Sequence, residues 1–139
     1  MPGLFIFTIL EKAKQHTLGR KERLKSKKQI ELLFQKASSF NSGLFKVYHQ
    51  LESDAAAASL QFGVGVSKRH FKKAVHRNRI KRLMREAWRL NNTALKEQMQ
   101  NQTKLLSVFF IFTGKELPDY EIVVEKTKAA LERLQKLYA

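Results

Sequence analysis

The stretch of this chain best equipped for chemistry runs from Lys68 to Arg89. It carries ten Lys or Arg and one Glu, a net of +9 in 22 residues. Rows of guanidinium groups bind phosphate oxygens bidentately and stay charged at any physiological pH. The chemistry on offer is therefore recognition of a polyanion. The charges interleave with apolar residues at helical spacing. At about 100° per residue, Ile80, Leu83, Met84, Ala87 and Trp88 gather on one arc. Asn78, Arg79, Lys81, Arg82, Arg85 and Arg89 take the opposite arc, with Arg77 at the boundary. A merely solvated helix face mixes both signs, whereas Glu86 is the only acid in this one. RNA is the partner that best matches such a face. Neutralising six to ten phosphates would weaken binding by roughly three to five decades between low and moderate salt.

Catalytic groups do not assemble in the same way. His16, His49, His70 and His76 have no paired carboxylate or nucleophile beside them, and no HxxxH or HExxH spacing occurs. The chain has no cysteine, which excludes disulfides and thiolate metal sites and fits a reducing cytosol. Asp54, Asp119 and the Glu residues form no compact acidic cluster of the kind a protein-held two-metal nuclease needs. Gly63-x-Gly65 lacks the third glycine and the Lys-Ser or Lys-Thr of a phosphate loop. No catalytic and no metal-ligating residue is assigned, and the chain alone reads as a binder. Among the aromatics, Phe34, Phe45 and Tyr48 are candidates for stacking on unpaired bases. Phe45 and Trp88 read as core. Tyr48, which shares a polar strand face with Lys46, reads as facing a ligand.

The elements that must position these groups fit one domain of 139 residues with a net charge of +15. The hydrophobic share is 43%, too apolar for a wholly disordered chain. Leu4 to Leu10 is apolar but too short to span a bilayer, and its flanks do not make a signal peptide. Residues 1–22 read as a basic, flexible tail, and residues 23–139 as the domain. Ser26 and Gln29 match a capping box ahead of an amphipathic helix with Ile30, Leu33, Phe34 and Ala37 on one stripe, ending near Lys36. Ser38 to Gly43 reads as a loop. Leu44 to Leu51 reads as a strand with Phe45, Val47, His49 and Leu51 on one face and Lys46, Tyr48 and Gln50 on the more polar one. After an alanine-rich connection, Leu60, Phe62, Val64 and Val66 alternate with Gln61, Gly63 and Gly65. The bare glycine face admits either a second backbone or a closely packed helix. The basic helix runs from Ala74 to about Leu90, with an extension to Met99 left open. Leu105 to Phe112 is apolar on both faces, as in a central strand covered on both sides. Asp119 can cap a last helix whose apolar positions are Val123, Thr127, Ala130, Leu131, Leu134 and Leu137.

The run Phe62-Gly63-Val64-Gly65-Val66-Ser67-Lys68-Arg69, leading into Ala74 to Arg89 with its Arg77-Asn78-Arg79 core and Lys81-Arg82, resembles the signature of the bacterial ribonuclease P protein component. The resemblance covers about residues 20–138. It implies an α+β fold, a single-domain sandwich of order αβββαβα with a left-handed βαβ crossover. It implies a protein that assists a catalytic RNA in removing the 5′ leader of precursor tRNA. The RNA would carry the hydrolysis and hold most of the Mg²⁺. The implied partners are the catalytic RNA and precursor tRNA, in the cytoplasm, with no membrane and no small-molecule substrate. By position, Arg77, Asn78, Arg79, Lys81, Arg82 and Arg85 match the basic motif near the catalytic RNA, and Lys68 and Arg69 the basic pair before it. Ile30, Phe34, Lys46 and Tyr48 match the cleft that receives the leader. An aromatic is common at the place of Ile30, so one stacking contact is missing from the family pattern.

Overall fold

The computed structural model describes residues 23–24, 27–52 and 60–139. The expected tail over residues 1–22, the capping Ser26 and the alanine-rich connection fall outside the described residues. The elements in chain order are α1 (Lys27–Lys36), β1 (Ser38–Ser42), β2 (Phe45–Glu52), β3 (Leu60–Val66), α2 (Ala74–Asn91), α3 (Thr93–Gln102), β4 (Leu105–Phe112) and α4 (Tyr120–Leu137). The four strands form one sheet in the order β1-β2-β4-β3. β1, β2 and β4 pair antiparallel, and β3 lies parallel to β4 across the crossover made by α2 and α3.

Burial follows the period-two alternation of the strands. Phe45, Val47, Phe62, Leu106, Val108, Phe110 and Phe112 turn to one face and are buried among Ile80, Met84, Ala87 and Trp88 of α2, Leu95 and Met99 of α3, and Val123, Ala130 and Leu134 of α4. The opposite face holds a smaller cluster in which Leu33 of α1 meets Leu24 and Phe109. β4 is therefore apolar on both sides because helices cover both, as its sequence implied.

Two local readings are corrected by the structure, and the extension of the basic helix, left open by the sequence, is settled. The expected loop at Ser38 to Ser42 is an edge strand, paired residue by residue with β2 and closed by Gly43 at φ 58°. Its only buried apolar side chain is Phe40, which carries the Arg133 guanidinium at 4.3 Å from its ring centre. A polar edge strand gives almost no alternation to detect. The basic helix does not continue unbroken to Met99. It stops at Asn92, and α3 restarts there with Lys96 N–H donating to the Asn92 carbonyl. Asn91-Asn92-Thr93 supplies short polar side chains that compete for backbone groups, and Asn91 Nδ2 already donates to the Ala87 carbonyl at 2.7 Å. Finally, Leu137 is 52% exposed, while the next residue, Tyr138, anchors the chain end.

That anchor is titratable. The Tyr138 hydroxyl and Nδ1 of His49, on the core face of β2, share a hydrogen bond of 2.5 Å. Burial, and then the nearby Arg133, hold His49 below its ordinary imidazole pKa of 6.5, and burial raises Tyr138 above the usual phenol range. The unfolded chain takes up this proton more readily than the folded one. Stability from the neutral His49 imidazole is thus complete above pH 6.5 and is lost as pH falls through the lower folded-state value. The melting temperature should fall between pH 7.5 and pH 5, and His49→Gln should flatten that decline, as thermal melts across the range will report.

Candidate RNA interface

The basic helix takes up its two arcs as spaced. Ile80, Met84, Ala87 and Trp88 are fully buried, with the Trp88 indole stacked on Phe62 at 4.1 Å and 6°. Leu83 is only partly buried and packs against the edge of this core. Asn78, Arg79, Arg82 and Arg85 are exposed, and Lys81 is half-buried. Glu86 pairs with Arg89 at 3.1 Å, so the one acid of the face is engaged one turn towards the helix C-terminus. Arg77 has a structural task that its boundary position only hinted at. Its Nη1 donates to the carbonyls of Phe71 and Lys72, 2.8 Å each, and ties the β3–α2 loop to the first turns of α2. That loop carries Lys68 and Arg69, both exposed, with the Arg69 N–H donating to Ser67 Oγ at 3.2 Å. Phe71 plugs the loop into the core against Phe112.

The outer face of the sheet is a ladder of three rungs set by strand register. Lys46, Ile111 and Gly65 form the first, Tyr48, Phe109 and Gly63 the second, and Gln50, Ser107 and Gln61 the third. Successive rungs are about 7 Å apart, two residues along each strand. On the second rung the Phe109 ring lies over the bare β3 backbone. A Cβ added to Gly63 would meet it at 2.6 Å, and one at Gly65 at 3.1 Å. The glycine face therefore packs no helix: it takes an aromatic ring from the neighbouring strand and, at Gly63, the Leu24 backbone, whose carbonyl oxygen would lie 3.0 Å from an added Cβ. Phe34 of α1, 41% exposed, meets Tyr48 at 4.8 Å and Phe109 at 5.2 Å, edge-on in both cases. Lys46 Nζ stands 5.3 Å from the centre of the Tyr48 ring. Phe34, Lys46 and Tyr48 are thus one cluster, and half-buried Ile30 packs on the same apolar patch. Exposed ring area beside an ammonium group is what stacking and charge-assisted capture of a single strand require.

Beside this patch a trough of about 420 Å³ opens between Arg23, Ile30, Gly63 and Arg85. Burial, and then the Arg23 guanidinium, lower the pKa of Arg85. Among the described residues no acid lines the trough, and the positive charge of the basic helix reaches the outer face of the sheet through Arg85. Arg23 and Phe109 were missed as site residues in the sequence. Arg23 precedes α1 and reaches the sheet through pairing with Phe62, and Phe109 looked like one more core position in an apolar strand. Among the described residues, no group of three or more His, Cys, Asp or Glu lies where it could hold a metal ion. Likewise no described helix is long and apolar enough to cross a membrane.

The fold and this one-signed, aromatic-bearing face define a class of small single-domain α+β proteins. Its solved members include the RNase P protein of Thermotoga maritima, with a TM-score of 0.62 at 26% identity over 81% of this chain and 96% of that one. The RNase P protein of Staphylococcus aureus shares the fold at a TM-score of 0.56, 22% identical over 84% of this chain and 94% of that one. The family model described as Ribonuclease P matches residues 18–135. A ribonuclease P protein component of Porphyromonas gingivalis is 34% identical over 117 residues, 84% of this chain and 85% of its own length. One from Chlorobium phaeobacteroides is 28% identical over 145 aligned positions, 97% of this chain and 93% of its own length. The chain belongs to the ribonuclease P protein family.

Proposed function

We propose that this protein binds a catalytic RNA through Lys68, Arg69, Asn78, Arg79, Lys81, Arg82 and Arg85, and holds the 5′ leader of precursor tRNA on the outer face of its sheet. The observation that carries this reading is the Phe34, Tyr48 and Lys46 cluster, partly exposed and set on the same sheet as a helix whose unpaired charges have one sign. The RNA holds the Mg²⁺ and performs the hydrolysis. The protein's residues neutralise phosphates, orient the unpaired strand by stacking, and so favour precursor over mature tRNA. Arg77 contributes from below, by fixing the loop that presents Lys68 and Arg69.

Reconstitution with the cognate catalytic RNA at low Mg²⁺ tests the reading. Precursor tRNA should be cleaved faster than by RNA alone, with the gain growing as the leader lengthens. Arg79→Ala with Arg82→Ala should weaken assembly with the catalytic RNA and flatten its salt dependence by about two phosphate contacts, with an unchanged melt. Phe34→Ala with Tyr48→Ala should remove the advantage of leader-bearing over leaderless tRNA and leave assembly intact. No stimulation at any Mg²⁺ concentration would refute the proposal. Equal loss for both tRNAs would make the protein a general RNA binder.

A further inference from the structure

We infer that the third rung of the outer face, Gln50, Ser107 and Gln61, reads the edge of one unpaired base and discriminates against uracil. The inference rests on the leader lying along this face. A cavity of about 200 Å³ sits over the rung, walled by Leu33 and Lys36 of α1 and with Glu52 among its lining residues. That is room for a flat ring system, since one water takes only about 30 Å³ of liquid. The polarity of its floor is out of keeping with its surroundings. Ser107 is 8% exposed on a central strand whose neighbours are Leu105, Leu106, Val108 and Phe109, and its Oγ donates to Gln61 Oε1 at 3.4 Å. Apolar residues at these positions would extend the second cluster that Leu24, Leu33 and Phe109 begin. Carboxamides and a hydroxyl instead give a floor that both donates and accepts, the chemistry that recognises base edges.

Position favours a base over any other flat polar ligand. The rung lies about 7 Å along the strands from Tyr48, so a strand stacked on Tyr48 and Phe34 delivers its neighbouring base there. The choice among bases follows from Glu52, whose carboxylate only accepts. Adenine, guanine and cytosine each present an exocyclic amino group to such an acceptor, whereas uracil presents a single N3–H flanked by two carbonyls that the carboxylate repels.

The holoenzyme, assembled on its catalytic RNA, decides the matter through precursor tRNAs carrying each of the four bases at each leader position. One position should show a uridine penalty of about tenfold in affinity, the size of one good base-edge contact. Gln50→Leu should reduce the penalty to under threefold. Glu52→Gln, at an exposed position, gives a second reading of the same ratio and should reduce it as well. Equal affinities for all bases at every position, in an enzyme that still prefers leader-bearing tRNA, would overturn the inference and leave the leader cleft standing. A penalty that persists in both variants would overturn the assignment to this rung. Absence of any leader preference in the unaltered enzyme would remove both readings together.

Discussion

Trp88→Ala should destabilise the protein by about 3–5 kcal/mol, the range for deleting a fully buried large aromatic. Trp88 is the largest fully buried side chain, and it joins α2 to two strands at once. Its indole stacks on Phe62 of β3 and meets Phe110 of β4 edge-on at 5.4 Å. Alanine leaves a cavity that β3 and β4 cannot close, because their hydrogen-bonded register fixes their spacing. Trp88→Phe is the informative partner. The indole Nε1 is buried without a hydrogen-bond partner, so its removal forfeits no bond and relieves a desolvated donor. Phenylalanine keeps a ring on Phe62 and should cost less than about 1.5 kcal/mol. Denaturant unfolding at constant m-value will separate the two variants. A loss below about 1 kcal/mol for alanine would mean that α2 does not dock on the sheet through this residue. The basic face depends on that docking, since Arg79, Arg82 and Arg85 are held in a row only while the opposite arc is seated.

That dependence explains which parts of the molecule were legible in its sequence. The two arcs of α2, the alternation along β2 and β3 and the doubly apolar β4 are local periodicities, and each is found where its spacing put it. β1 was not legible, because an edge strand of Ser, Asn and one Phe carries no alternating signal. The break at Asn92 depends on α3 folding back towards α4, where Gln98 and Gln102 donate to the Gln135 and Tyr138 carbonyls. Within the site, Lys46 and Tyr48 declared themselves by sharing a polar strand face. Phe109, Arg23 and the Gln50, Ser107 and Gln61 rung did not. Each acquires its role from pairing between segments distant in sequence: β3 with β4 across two helices, β2 with β4, and Arg23 with Phe62. The two glycines of β3 were visible, but what they accommodate is set by that same register.

Gly63→Ala tests that register at the point where fold and site meet. An added methyl at Gly63 would stand 2.6 Å from Cδ2 of Phe109 and 3.0 Å from the Leu24 carbonyl oxygen, so it is held between a ring and a backbone. The backbone cannot yield without breaking the Leu24 N–H bond to the Phe62 carbonyl, at 2.9 Å. The ring must therefore lift. Overpacking of this kind costs about 1–3 kcal/mol. The displaced ring presses on Phe34, which stands edge-on to it at 5.2 Å, and Phe34 in turn on Tyr48. On the proposed reading, preference for leader-bearing tRNA should drop by about tenfold, the worth of one base–aromatic contact, while assembly with the catalytic RNA persists. Gly65→Ala meets the same ring at 3.1 Å, a gap that a small ring shift can open, and should be the milder change in both assays. Adding Phe109→Leu to Gly63→Ala removes the obstructed ring. The double variant should then be more stable than the sum of the two single losses, a coupling of about 1 kcal/mol or more. Stability should recover in that pair without leader preference, because the ring that supports Phe34 is gone. Strict additivity would show that the methyl is accommodated elsewhere and that Phe109 does not set the height of the aromatic cluster.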